Sequence, residues 1–209
     1  RQITPVWTKG FMRYIEAYLG DTPETFTYEG KEYTPQSFAA SLDLDLNDYV
    51  ELTSYQMYPF YEEVELTIPD NWMHARYYNL PIDELMEVMN NALKNGYSVC
   101  WDGDVSHNGF SHPNGLAILP TNNPEEMINA EIDKWTTLSA RDQERKMQSF
   151  ESPVPEMRVD DNKRQFTFNN RQTTDDHLMH ITGMLKDQNG TIYYKTKNSW
   201  GEDLSLIHI

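Results

Sequence analysis

Two alternating runs, residues 177–186 and 191–198, flank Asp187-Gln188-Asn189-Gly190. That arrangement constrains the chain more than any other, because a turn-forming cluster between two such runs specifies a β-hairpin. Successive side chains of a strand point to opposite faces, so spacing decides which residues meet. His177 and Asn198 stand an odd number of positions apart, and a hairpin loop of even length places them on one face. A loop of residues 186–189 sets them directly opposite, whereas a two-residue Asn-Gly turn offsets them by four positions. The spacing permits the contact without forcing it.

An imidazole beside a carboxamide carries a particular chemistry. A thiol nucleophile needs a base to take its proton and a third group to orient that base. The side-chain oxygen of Asn198 can accept from one ring nitrogen of His177 and leave the other free. Trp200, two residues further on, can shield that hydrogen bond from water. Taken alone, His177 reads as a structural or solvated histidine; the downstream Asn198-Ser199-Trp200-Gly201 turns the reading to a catalytic one.

The rest of the chain bounds this reading. Its 209 residues are 38% hydrophobic and 24% charged, which suits one soluble domain or part of a larger one. Acidic residues outnumber basic ones 33 to 17, a net charge of −16, which repels phosphate backbones and anionic membranes. Nucleic acid and membrane are therefore not expected partners. No apolar run reaches the ~20 residues that span a bilayer. A single cysteine, Cys100, excludes an intrachain disulfide and a Cys-rich zinc site.

Helices are expected over 7–19, from Pro35 to about Leu42 with Thr34 as N-cap, and over 81–94 between Pro81 and Gly96. A further charged helix is expected over 124–149, starting at Pro124 with Asn123 as cap. Residues 49–68, 97–101 and 164–170 read as extended, with 97–101 a buried strand and Asp102-Gly103-Asp104 a polar turn. Ser152-Pro153-Val154-Pro155 reads as a loop. Asp43-Leu44-Asp45-Leu46-Asn47 opens like a calcium loop, but Asp48 and Ser54 stand where Gly and Glu are needed, so a capped turn is expected. His74, His107 and His112 lack ligand spacing, and His180 falls on the strand face opposite His177. No metal site is expected from them.

The segments His177-Leu-Met followed by Thr182-Gly183, and Asn198-Ser-Trp-Gly201, resemble the histidine and asparagine signatures of papain-like cysteine peptidases. Asp176 before the histidine also fits. Tyr33-Thr-Pro-Gln-Ser-Phe38, Leu46–Ser54, Pro69-Asp-Asn-Trp72 and Trp101-Asp-Gly-Asp-Val105 resemble the bleomycin hydrolase and aminopeptidase C branch. In two places the chain departs from the family: Leu178 stands where Ala is usual and could crowd the imidazole, and His180 replaces an aliphatic residue.

The resemblance implies an α+β fold, the sheet-rich half of a papain-like domain with helical insertions, over residues 1–203. It implies a cysteine aminopeptidase acting on peptides, with His177 and Asn198 catalytic, Trp200 and Asp176 supporting, and neither cofactor nor metal. It further implies a cytoplasmic homo-oligomer, often a hexamer, for the intact parent. The family's nucleophile follows a Gln-Gly segment and opens a helix; Cys100 follows Tyr97-Ser98-Val99 and precedes Asp102, so it is expected to be buried and structural, with the nucleophile upstream of residue 1. Leu204–Ile209 matches a translated sequencing-library adapter and is expected to be a non-native tail. A non-catalytic homologue serving as a binding or assembly module is the rival reading. A serine or metal hydrolase is disfavoured, since neither a nucleophile elbow nor a zinc-binding helix occurs.

Overall fold

The computed structural model describes residues 6–123, 125, 127, 132–200 and 206–208. Its contacts divide into two compact units, Arg1–Val50 and Glu51–Ile209. In the first, helix α1 (Val6–Leu19) and helix α2 (Pro35–Ser41) flank a hairpin of β1 (Phe26–Tyr28) and β2 (Lys31–Tyr33). Thr34 caps α2 as expected: its hydroxyl accepts from the Ser37 N–H at 3.1 Å, and Ser37 returns the bond at 2.9 Å. Phe38 then meets Phe26, Tyr28 and Tyr33 edge-on, each at 5.3 Å. Asp45 caps a 3-10 turn at Leu46–Asp48 through the Asn47 N–H, the capped turn read from the sequence.

The second unit holds two sheets. β3 (Leu52–Thr53), β4 (Glu63–Glu65) and β5 (Arg76–Asn79) form a three-stranded sheet in the order β3-β5-β4. Only two short pieces of 49–68 are therefore strand. The intervening chain is a folded loop gathered around the fully buried Asn79, whose amide bonds the backbone of Tyr55, Tyr58 and Pro59. Helix α3 (Ile82–Lys94) follows, as its apolar period predicts.

The larger sheet comprises β6 (Val99–Gly103), β7 (Phe110–Ser111), β8 (Leu116–Ala117), β9 (His177–Lys186), β10 (Ile192–Lys197) and β11 (Leu206–His208), in the order β6-β9-β10-β11-β8-β7. β11 lies in the segment read as a non-native tail, and its backbone pairs with β10 and β8. One core cluster, Ile118, Trp135, Val154 and Tyr193, packs on this sheet; another, Tyr55, Val64 and Leu66, serves the smaller one.

Three further expectations about elements need correction. The run 124–149 is two helices, α4 (Ile132–Thr136) and α5 (Ala140–Ser149); its expected start at Pro124 lies outside the described residues. The break has a local cause: Thr136 and Thr137 turn their hydroxyls onto the Asp133 and Lys134 carbonyls, and Ser139 caps the next helix. Residues 164–170 are not a strand but the body of helix α6 (Asp161–Asn169). Asp160 caps it, Gln165 bonds both Asn169 one turn on and the Met57 N–H, and the guanidinium of Arg164 reaches the Ser54 carbonyl. The alternating Phe166 and Phe168 suggested a strand, yet only Phe168 packs inward, on Tyr55 at 4.5 Å. Finally, Asp102 and Gly103 continue β6 instead of turning, because they pair with Leu178 and His177.

Candidate active site

His177 stands at the head of β9 and Asn198 just past the end of β10. The hairpin loop between them is five residues long, 187–191, since Ile192 faces Lys186. An odd loop alone turns the two side chains to opposite faces. A β-bulge restores the parity: Lys195 faces Gly183, but Thr196 faces Ile181, so Thr182 is an extra residue in β9. Carried on, this register sets Asn198 across from Met179, a diagonal neighbour of His177 on the same face. The contact forms: His177 Nε2 lies 2.8 Å from Asn198 Oδ1.

The carboxamide's orientation is fixed by a second bond, from the Ser199 N–H to the same Oδ1 at 2.7 Å. An oxygen in that position requires Nε2 to carry the proton, which leaves Nδ1 as the acceptor. Asn198 is 4% exposed, and its Nδ2 has no partner among the described residues. The Trp200 ring lies 4.8 Å from the His177 ring at 38°.

The base of β9 is tied to β6. Asp176 Oδ1 accepts from the Val105 N–H at 3.0 Å, and the Asp176 N–H reaches the Gly103 carbonyl at 3.3 Å. Asp104 accepts from the Thr174 N–H at 3.0 Å and from Ser106. Burial raises the Asp104 pKa, but the bonds from Ser106 and Thr174 outweigh it and hold the carboxyl below its ordinary value. Asp176 thus ties the strand end that carries His177 to the end of β6 and the chain following it, through Gly103 and Val105. Gly103 faces His177 across the pairing, and a β-carbon there would run into the Trp101 indole. Two neighbouring carboxyls go the other way: burial, then nearby carboxylates, push Asp102 and Asp175 above the ordinary range.

Cys100 corrects the expectation of a buried thiol: it is exposed. β6 is an edge strand, and Cys100 pairs with the exposed His180 on the face that turns away from Met179 and Ile181. His177 belongs to the Met179 face and lies three residues, ~10 Å, further along β9. Cys100 is therefore out of reach of the imidazole. Leu178, 63% exposed, shares the Cys100 face and does not crowd His177. His74 pairs with Glu65 at 2.7 Å, and the His107 ring accepts from the Gly109 N–H at 2.9 Å. His112 was missed as a site residue: its ring lies 3.8 Å from that of Trp200. A His-Pro-Asn-Gly turn carries no sequence signal for which distant ring it will meet.

The described residues thus define an α+β chain whose hairpin holds a shielded histidine–asparagine pair. No protein-family model and no curated protein matches the chain. Its fold is shared with a solved structure, PepW from Lactobacillus rhamnosis HN001, at 20% identity and a TM-score of 0.61. The match covers 94% of this chain and 41% of that one, so the chain spans less than half the length of PepW. At this identity the likeness is one of fold. Among the described residues, no helix is long and apolar enough to cross a membrane.

Proposed function

We propose that the chain is the His- and Asn-bearing part of a papain-like cysteine aminopeptidase of the bleomycin hydrolase type. The observation that carries this reading is the 2.8 Å bond between His177 Nε2 and Asn198 Oδ1 beneath Trp200. The ordered motifs and the fold shared with PepW support it.

In the proposed reaction, Nδ1 of His177 takes the proton of a cysteine thiol supplied by residues outside this chain. The thiolate adds to the scissile carbonyl, and the carbonyl π electrons move onto oxygen. His177 then returns the proton to the departing amine as the C–N bond breaks, leaving a thioester on the cysteine. Water, deprotonated by His177, adds to that thioester; the acid leaves and the thiol reforms. Asn198 holds the ring so that Nδ1 faces the sulfur throughout, and its oxygen stabilises the imidazolium. The substrate class is peptides with a free N-terminus, and the intact parent is a closed homo-oligomer.

The test is to express the 209 residues alone and joined to the upstream portion of the gene. Hydrolysis of amino-acid amides only in the joined form, abolished by His177→Ala, is the expected result. Thiol-sensitive activity from the 209 residues alone, lost on Cys100→Ser, overturns the assignment. An upstream segment with Ser, Ala or Gly in place of the cysteine supports the non-catalytic module instead.

A further inference from the structure

Four rings form a continuous chain of edge-on and tilted contacts across the site. Phe110 meets His112 at 4.8 Å and 69°, His112 meets Trp200 at 3.8 Å and 41°, and Trp200 meets His177 at 4.8 Å and 38°. Among the described residues, the two imidazoles are the ring partners of Trp200, which is otherwise 44% exposed. A half-exposed indole has many rotamers open to it unless something holds it. His112 is built to do so. It opens a 3-10 turn, His112–Asn114, closed by Gly115 in the left-handed region at φ 59°, whose N–H bonds the His112 carbonyl at 3.0 Å. The Asn114 amide donates to Ser111 Oγ at 2.7 Å and stiffens the turn further.

The His112 ring also sits there at a cost. The residue as a whole is half-buried, but both ring nitrogens are shielded from solvent and neither has a partner among the described residues. A buried polar group without a hydrogen bond forfeits its hydration, so its presence calls for an explanation. Burial, and then the neighbouring His177, hold its pKa below the ordinary imidazole value.

We infer that His112 is a positioning residue that clamps Trp200 over the His177–Asn198 hydrogen bond and keeps water from it. The inference rests on the His177–Asn198 reading above. It is tested on the full 209-residue chain, 15N-labelled, by following the ring N–H proton of His177 by NMR. The first control is the wild type against Asn198→Ala. If no sheltered ring proton is present, or if it is indifferent to Asn198→Ala, the His177–Asn198 reading itself fails. With that signal in hand, His112→Ala should speed its exchange with water at least about tenfold, since removing the clamp opens the site locally. His112→Phe, which restores a flat ring without unpaired nitrogens, should return it to the wild-type rate. Unchanged exchange in His112→Ala, or fast exchange in a folded His112→Phe, overturns the inference. If His112→Ala does not fold, His112→Leu takes its place, filling the space with no flat ring, and the same two outcomes decide.

Discussion

At the scale of single residues, the candidate site is one hydrogen bond and the rings around it. The His177–Asn198 contact was only partly legible in the sequence: the strand spacing permitted it without forcing it, and the Asn-Ser-Trp-Gly segment pointed to it. Exposure was not legible. Tyr97-Ser98-Val99-Cys100-Trp101 is apolar enough for a buried strand, but β6 lies at a sheet edge and turns Cys100 outward. The exposed thiol should therefore react readily with iodoacetamide in the folded chain. Mass spectrometry should show full single-site labelling, and the His177 ring resonances should not move. Slow labelling, or labelling that shifts His177, contradicts the placement. His112 makes a second prediction, on pH. Its folded pKa lies below the ordinary 6.5, so the folded state binds the proton less readily than the unfolded chain. Its contribution is complete above about pH 6.5 and is lost as pH falls from there through the folded value. Urea midpoints measured between pH 8 and 5 should decline across this range, and His112→Phe should flatten that decline. A decline of equal slope in the variant contradicts it.

The elements themselves were legible where one local signal governed them and obscure where distant contacts decided. α2 and α3 follow from a cap, a first-turn proline and an apolar period. α6 does not, because Gln165 and Arg164 draw their support from Met57 and Ser54, more than a hundred residues away. The bulge at Thr182 is the most consequential element that the sequence hid. No residue pattern separates an even loop from an odd loop plus a bulge, yet both put His177 and Asn198 on one face. β6 supports a third prediction. Burial first, then Asp175, Asp176 and Asp70, raise the Asp102 pKa, so the folded state prefers the protonated carboxyl. Asp102 therefore costs stability while ionised and is relieved as pH falls through its raised folded pKa towards the unfolded 3.8. Asp102→Asn should raise the urea midpoint at pH 7, with the advantage shrinking steadily as the solution is acidified. A variant less stable than wild type at pH 7 contradicts the sign.

For the whole molecule, the composition marked an acidic chain of ordinary globular make-up and the resemblance implied the α+β class, but neither gave a sign of the division at Val50/Glu51. That division rests on which segments contact one another, a property no local pattern encodes. Two opposed features govern how copies of the chain meet. Apolar side chains stand exposed in both units: no residue of α1 is buried, with Trp7, Tyr18 and Leu19 at least 70% exposed, and Leu178 is 63% exposed on the Cys100 face. Such surfaces favour association. Against this stands a net charge of −16, which makes copies repel. The repulsion is long-ranged only in dilute salt, because the screening length falls from ~10 Å at 0.1 M to ~3 Å at 1 M. Apolar contact is not screened, and excluded salts such as sulfate strengthen it. The balance should therefore tip with ionic strength. Sedimentation velocity of the 209-residue chain should give a monomer boundary at low salt and progressively faster species in molar sodium sulfate. Leu178→Asp together with Trp7→Glu should delay their appearance, by adding charge where apolar surface was. A single monomer boundary at both salt concentrations means that the exposed side chains are too scattered to join copies. Association at low salt that salt dissolves means that charge, and not apolar contact, holds them together.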